Sequence, residues 1–264
     1  MFTSVGRAMR DVVSALKAWH VWSYLAWQDV ISKYRRSIFG PLWISGGMIA
    51  TSAALAVTFG AIFKQPLPEF LPLVMAGYLT WIHFLGPTLT EAPEVFVSVS
   101  GSIRNHAFPF TYYTLRYVTK NLILLAHSLV VFYAMTLLVH NFHFPHWQII
   151  PAFAVLTLFS AFVTPIIGIV AARYRDLRFM LPYLGQVLFF MTPIFWSPAA
   201  MTGKRAILVA ANPFFHLLEL MREPLLGRPA PPHSWLSGLT TLAIVMVLWL
   251  ITFSAFRRKI PFWV

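Results

Sequence analysis

Residues 121–172, NLILLAHSLVVFYAMTLLVHNFHFPHWQIIPAFAVLTLFSAFVTPIIGIVAA, run from Lys120 to Arg173 without one Asp, Glu, Lys or Arg. A helix needs about 20 apolar residues to cross the hydrocarbon of a bilayer, and a charge at its centre costs roughly 2.5–3.5 kcal/mol. This interval is long enough for two crossings, and it is broken midway by His140-Asn141-Phe142-His143-Phe144-Pro145-His146. It reads as a helical hairpin, Asn121–Val139 and Ile149–Ala172.

The same test applied outward finds four more uncharged intervals. They predict spans at Leu42–Ile62, Leu71–Leu89, Phe179–Trp196 and Trp235–Phe256, six in all. The composition agrees: 58% of the 264 residues are hydrophobic and 11% charged, where a soluble domain carries about 25% charged residues. The predicted fold is all-α and polytopic: an N-terminal segment (1–36) with an interfacial helix, then a six-helix transmembrane domain (37–264). The absence of cysteine removes disulfides, thiol nucleophiles and Cys-based metal sites.

The chain carries 20 Lys and Arg against 8 Asp and Glu, a formal charge of +12. Fifteen of those 20 cations fall on one side of the predicted spans: Arg7 to Arg36, Arg104 to Lys120, Arg173 to Arg178 and Arg257 to Lys259. By the positive-inside rule that side is cytoplasmic and holds both termini. The charge therefore reports topology rather than nucleic-acid binding. The N-terminal stretch lacks the compact apolar region and cleavage site of a signal peptide. From Asp11 to Ile31, Val12, Ala15, Leu16, Trp19, Ala26, Trp27 and Val30 share one side of a helical wheel. This suits a helix lying in the membrane interface or packed on a soluble partner.

Several segments carry candidate function. Lys33, Tyr34, Arg35 and Arg36 precede Gly40-Pro41 at the entry to the first span; they fix topology or gather an anionic, lipid-linked substrate. Glu91 and Glu94 lie one turn apart on a cytoplasmic connection that continues through Arg104 and Phe108. Their spacing fits an acid–base pair, metal ligands, a solvated face, or a short helix docked on another subunit. On the far side, Asn212-Pro213 starts a helix, and Phe214, Phe215, Leu217, Leu218 and Met221 make it too apolar for a free loop. Two short helices dipping back between the spans would satisfy the backbone there, as a lid over a pathway or as ordinary packing. Phe189, Phe190, Phe195 and Trp196 form an interfacial belt or line a conduit, where ring faces stack on sugars. His140, His143 and His146 have helical spacing, but Pro145 argues for a turn and no acid accompanies them, so no metal is expected.

No phosphate-binding Gly-rich loop precedes Lys204, and no other nucleotide fingerprint occurs. Nor does any predicted span hold an interior charge, the usual mark of ion-coupled transport. Uphill movement would need energy from a partner.

The run from Tyr34 to Trp43, His106-Ala107-Phe108-Pro109, Arg173 to Arg178, Thr192-Pro193-Ile194-Phe195-Trp196-Ser197-Pro198, and Asn212-Pro213-Phe214-Phe215-His216 through Gly227 resemble, in order, the membrane subunits of bacterial ABC exporters for polysaccharide. The likeness is nearest to O-antigen (Wzm-like) permeases and looser to capsule and teichoic acid permeases. It implies a homodimer in the inner membrane with two separate ATP-binding subunits, ATP and Mg²⁺ bound in those subunits and no cofactor here. The cargo would be a glycan on an undecaprenyl carrier, and no covalent step would occur in this chain. It also implies a coupling helix after the second span, to which Glu91, Glu94, Arg104 and Phe108 would belong, and re-entrant gate helices before the sixth, with Phe214 and Phe215. One departure is local: the family carries lysine before the Phe-Pro pair, where this chain has Asn105, His106 and Ala107. The rival readings are a permease for another lipid or drug, and a polytopic membrane glycosyltransferase, for which eight acids are few.

Overall fold

Apolar runs too long for a soluble core become helices whose ends fall where charge or proline enters. The computed structural model describes residues 2–35, 37, 38, 40, 42–196 and 204–264, and among these only helices and turns occur. Two N-terminal helices, α1 (Phe2–Lys17) and α2 (Trp19–Lys33), precede α3 (Leu42–Phe63) and α4 (Leu67–Thr80). A π-helical turn (Trp81–Leu85) extends α4 into the short α5 (Pro87–Thr90), then a 3₁₀ turn (Ala92–Glu94) and α6 (Ser100–Asn105). The long helices α7 (Phe110–Leu138) and α8 (Ile149–Arg173) follow, then α9 (Leu177–Met191), α10 (Lys204–Ala210), α11 (Pro213–Leu225), α12 (Pro232–Phe256) and α13 (Ile260–Trp263).

Five helical stretches are long and apolar enough to cross a membrane: Leu42–Phe63, Leu67–Thr90, Phe110–Leu138, Ile149–Arg173 and Pro232–Trp263. The Leu67–Thr90 stretch is the most enclosed and forms the centre of the bundle, whereas α3 and α12 present mostly outward faces. Both termini lie at one end, here called lower, where the Arg257 guanidinium donates to the Arg7 carbonyl. The connections 64–66 and 139–148, with residues 192–196 and 211–231, gather at the upper end. Asn141 Nδ2 donates there to the Pro68 carbonyl (2.9 Å), and the Ala230 amide donates to Gln148 Oε1 (2.8 Å).

Four expectations shift. The third span was predicted from Asn121, but α7 begins at Phe110, so Arg116 and Lys120 lie inside a helix. Asp29 and Glu91, from other elements, neutralise them. The fifth span was predicted to reach Trp196, but α9 has 15 residues, about 22 Å of rise. It stops because the residue before a proline avoids helical geometry: Thr192, preceding Pro193, is extended at φ −90°, ψ 132°. The chain after it, through Ile194, lies against Gly77 of α4, where an added Cβ would sit 3.2 Å from the Ile194 carbonyl oxygen.

The N-terminal helix is two helices, broken at Ala18, where the Trp22 indole N–H donates to the Ala15 carbonyl (3.0 Å). The expected single apolar face divides accordingly. Ala15, Ala26 and Val30 point into the protein, while Leu16, Trp19 and Trp27 are exposed, with Val21, Tyr24 and Ile31 beside them. Thus α1 and α2 pack on α7 and still show an aromatic, apolar outer face. Gly40 takes φ +56°, the turn into α3 that the sequence implied; Pro41 lies outside the described residues.

Candidate functional site

The lower end is a joint between distant parts of the chain. Pro109 precedes α7 and offers no side-chain cap, so the first backbone N–H groups of that helix need an acceptor from elsewhere. Asp11 of α1 supplies it. Its carboxylate accepts from Phe110 N (3.1 Å), Thr111 N (2.9 Å) and Thr111 Oγ1 (2.7 Å), and Arg257 at the end of α12 lies 3.7 Å away. A carboxylate at a helix N-terminus also complements the helix dipole. On α2, Asp29 takes a two-pronged pair from Arg116 of α7, at 2.6 and 2.7 Å. The N-terminal helices are therefore fixed to α7 through both of their acids.

The connection from α4 to α7 joins the same structure. Glu91 accepts from Lys120 Nζ (2.7 Å), and Glu94 pairs with Arg178 of α9 at 3.5 Å. Both carboxylates are partly exposed but engaged, so the pair-of-bases reading loses its support. Val95 and Phe96 press into α8 at Gly168, where an added Cβ would stand 2.5 Å from Val95 Cγ1. Beyond this anchor Ile103 is buried, and the chain is exposed from Arg104 to Phe108. Arg104 donates to the carbonyl of Val264, and Phe108 stacks on Tyr112 with centroids 4.7 Å apart. Asp29, Glu91, Glu94, Tyr113, Arg116 and Lys120 line a cleft of about 490 Å³ between α2, this connection and α7.

The proposed head-group residues Lys33, Tyr34 and Arg35 do not line that cleft. Lys33 and Arg35 are exposed, and neither pairs with an acid among the described residues; Lys33 Nζ sits 5.9 Å from the Tyr34 ring centroid. Burial, with a smaller contribution from the charge of Glu91, pushes the Tyr34 hydroxyl above its usual range. Arg36 lies outside the described residues.

At the upper end the aromatic candidates fall into one cluster with a single exception. Phe195 is buried, with ring centroids 4.5 Å from Phe59, 5.8 Å from Phe189 and 5.9 Å from Phe190. Phe189 meets Tyr78 and Trp81, and Trp81 reaches Phe214 at 6.2 Å. The Trp196 indole donates to the Phe190 carbonyl (3.3 Å). Phe215 instead turns inward beside His216. Phe190 remains the ring most open to the outside, at 55% exposure.

Beneath these rings α11 is tied to the end of α9. Asn212 caps α11 by accepting from Phe214 N (3.0 Å), and its amide donates to Thr192 Oγ1 (3.2 Å). The Arg222 guanidinium, 4% exposed, donates to the Pro193 carbonyl (2.8 Å) and pairs with Glu223 (3.3 Å) and Glu219 (3.6 Å). Burial lowers the Arg222 pKa from its ordinary value, and the two carboxylate charges oppose that shift. The cap was legible in Asn212-Pro213. The sequence reading missed Asp11, Asp29, Arg222 and Glu219; for Asp11, the uncapped helix start after Pro109 was the available signal. Ser197, Pro198 and the remainder of 197–203 lie outside the described residues.

The elements at each end thus come from the whole length of the chain, and the comparison with known proteins is equally broad. The chain is similar to a permease. It is 21% identical over 230 residues to the O-antigen export system permease protein RfbA of Myxococcus xanthus, covering 85% of this chain and 87% of that protein. No protein-family model matches it. Five helices long and apolar enough to cross a membrane, with this likeness, describe a multi-pass helical membrane protein similar to a permease.

Proposed function

We propose that the chain is the permease subunit of an ATP-driven ABC transporter that exports undecaprenyl-linked O-antigen polysaccharide across the bacterial inner membrane. The similarity to an O-antigen export permease across most of both chains carries this reading. Two copies of the chain form the pathway, and two ATPase subunits, which bind ATP and Mg²⁺, supply the energy. The lower end, with both termini, faces the cytoplasm, in keeping with its excess of Lys and Arg. The ATPase meets the exposed stretch from Arg104 to Phe108. Its movement passes through Glu91 and Glu94 to α7 and α9, and through Asp11 to α1 and α12. Lys33, Arg35 and Arg36 attract the diphosphate of the carrier lipid at the membrane surface, and the aromatic cluster at the upper end contacts sugars as the glycan leaves.

The chemistry is vectorial, with no bond made or broken in this chain. Deleting the gene in its native cell should abolish surface O-antigen and leave lipid-linked polymer inside, with export restored by a plasmid copy. Intact surface polymer after deletion contradicts the proposal.

A further inference from the structure

The interior of the upper end holds a group of side chains that glycan export does not use. His216 and Glu219 lie one turn apart on α11, and Ser234 and His233 occupy the first turn of α12. His216 and Glu219 are buried, Ser234 is fully enclosed, and the His233 ring opens to the surface. His216 Nε2 lies 2.8 Å from the Ala210 carbonyl. That oxygen only accepts, so Nε2 carries a proton, and in the neutral ring Nδ1 keeps a lone pair. Nδ1 is 2.9 Å from Ser234 Oγ, and the same hydroxyl is 2.5 Å from Glu219 Oε2. One hydroxyl proton thus faces both an imidazole lone pair and a carboxylate oxygen. The hydroxyl can donate to only one of them.

We propose that His216, Glu219 and His233 form a site for a divalent first-row transition ion, with Zn²⁺ as the reference cation. Their ligand atoms lie within 4.8 Å of one another, and His233 Nε2 stands 3.9 Å from Glu219 Oε2. Two imidazoles and one carboxylate are a known zinc donor set, with bonds of about 2.0–2.2 Å and a fourth position left for solvent. Reaching that geometry takes about 1.5 Å of side-chain adjustment, available from the exposed His233 ring and rotation of the Ser234 hydroxyl. The surroundings orient the ligands as outer partners do in metal sites. The Ala210 carbonyl fixes the His216 tautomer, and Arg222 holds Glu219 by the other oxygen, Oε1. All-nitrogen-and-oxygen donors, two of them imidazole, suit Zn²⁺, Ni²⁺ or Cu²⁺ better than Mg²⁺ or Ca²⁺. A bound ion would pin α11 to the start of α12 across the Gly227 turn. This inference does not depend on the identity of the cargo.

The test uses the full-length chain purified without a polyhistidine tag, stripped with EDTA and titrated with Zn²⁺ by calorimetry, with metal content read by mass spectrometry. The expected result is one ion per chain, a Zn²⁺-dependent rise in melting temperature, and X-ray absorption showing two imidazoles and oxygen. The His233→Ala variant should lose at least tenfold in affinity and the Zn²⁺-dependent stabilisation, while melting like the parent in EDTA. Absence of stoichiometric binding overturns the proposal. So does undiminished binding in His233→Ala, or binding that disappears in the triple variant His140→Ala, His143→Ala, His146→Ala.

Discussion

The two ends of the bundle use charge in opposite ways. At the lower end the pairs join residues far apart in sequence: Asp29 with Arg116 and Glu94 with Arg178 are partly exposed, and Asp11, with the start of α7 and with Arg257, is nearly enclosed. At the upper end Arg222 and Glu219 are buried on one helix with Glu223 beside them, Arg222 reaching out to the Pro193 carbonyl and Glu223 also meeting the exposed Arg228. A partly solvated pair between elements contributes little net stability, so it can shift with its elements at small cost. A buried charge triad cannot, because separating it strands an unpaired charge. On the proposed function, the lower end can transmit displacement, whereas the upper end holds α11 in one place.

Substitutions can break or sharpen this contrast. Arg222→Met should do most damage, about 3–5 kcal/mol, because it takes the guanidinium from the buried Glu219 and leaves Glu223 to Arg228 alone; a large fall in melting temperature of the detergent-solubilised chain checks it. Gly168→Ala comes next at about 1–3 kcal/mol, since the new methyl group collides with Val95 and Phe96. It should also loosen the turn that carries Glu91 and Glu94, seen as faster hydrogen exchange in residues 91–99. Asp11→Ala should cost about 1–2 kcal/mol through the lost cap of α7, and Asp11→Asn less, because an acceptor oxygen remains. Asp29→Ala should cost no more than about 1 kcal/mol in melting experiments. If the contrast holds, Asp11→Ala and Asp29→Ala lower export out of proportion to stability, whereas Arg222→Met lowers the two together. Lys33→Ala with Arg35→Ala, both on exposed side chains, should leave melting unchanged and slow export alone.

Much of the architecture is readable in the sequence because a bilayer penalises charge so heavily. Leu42–Phe63 and Ile149–Arg173 match the spans predicted there, Leu42–Ile62 and Ile149–Ala172, to within a residue. The rule fails where a charge is cancelled from outside its own segment. Arg116 and Lys120 read as a loop, and only the positions of Asp29 and Glu91 make them helix interior. The early end of α9 was visible in principle, since Thr192-Pro193 disfavours helix, but apolarity alone carried the span to Trp196. In the aromatic group, proximity along the chain correctly joined Phe189, Phe190 and Phe195. It said nothing of Tyr78 and Trp81, which α4 brings from a hundred residues away, or of the rotation that turns Phe215 inward. The histidines at 140, 143 and 146 drew attention by spacing. His216 and Glu219, at equally helical spacing, gain their meaning only from His233 across the Gly227 turn.

The central claim is that the lower end is the cytoplasmic, ATPase-facing end of an exporter. The chain contains no cysteine, so a single cysteine carrying a photoactivatable cross-linker can be placed at will. At Asn105, exposed at the end of α6, cross-linking in native membranes should capture a subunit whose peptides contain a Walker motif. The same probe at Phe144, 82% exposed at the upper end, should capture none. Capture of that ATPase from position 144, or its absence from position 105, would contradict the account.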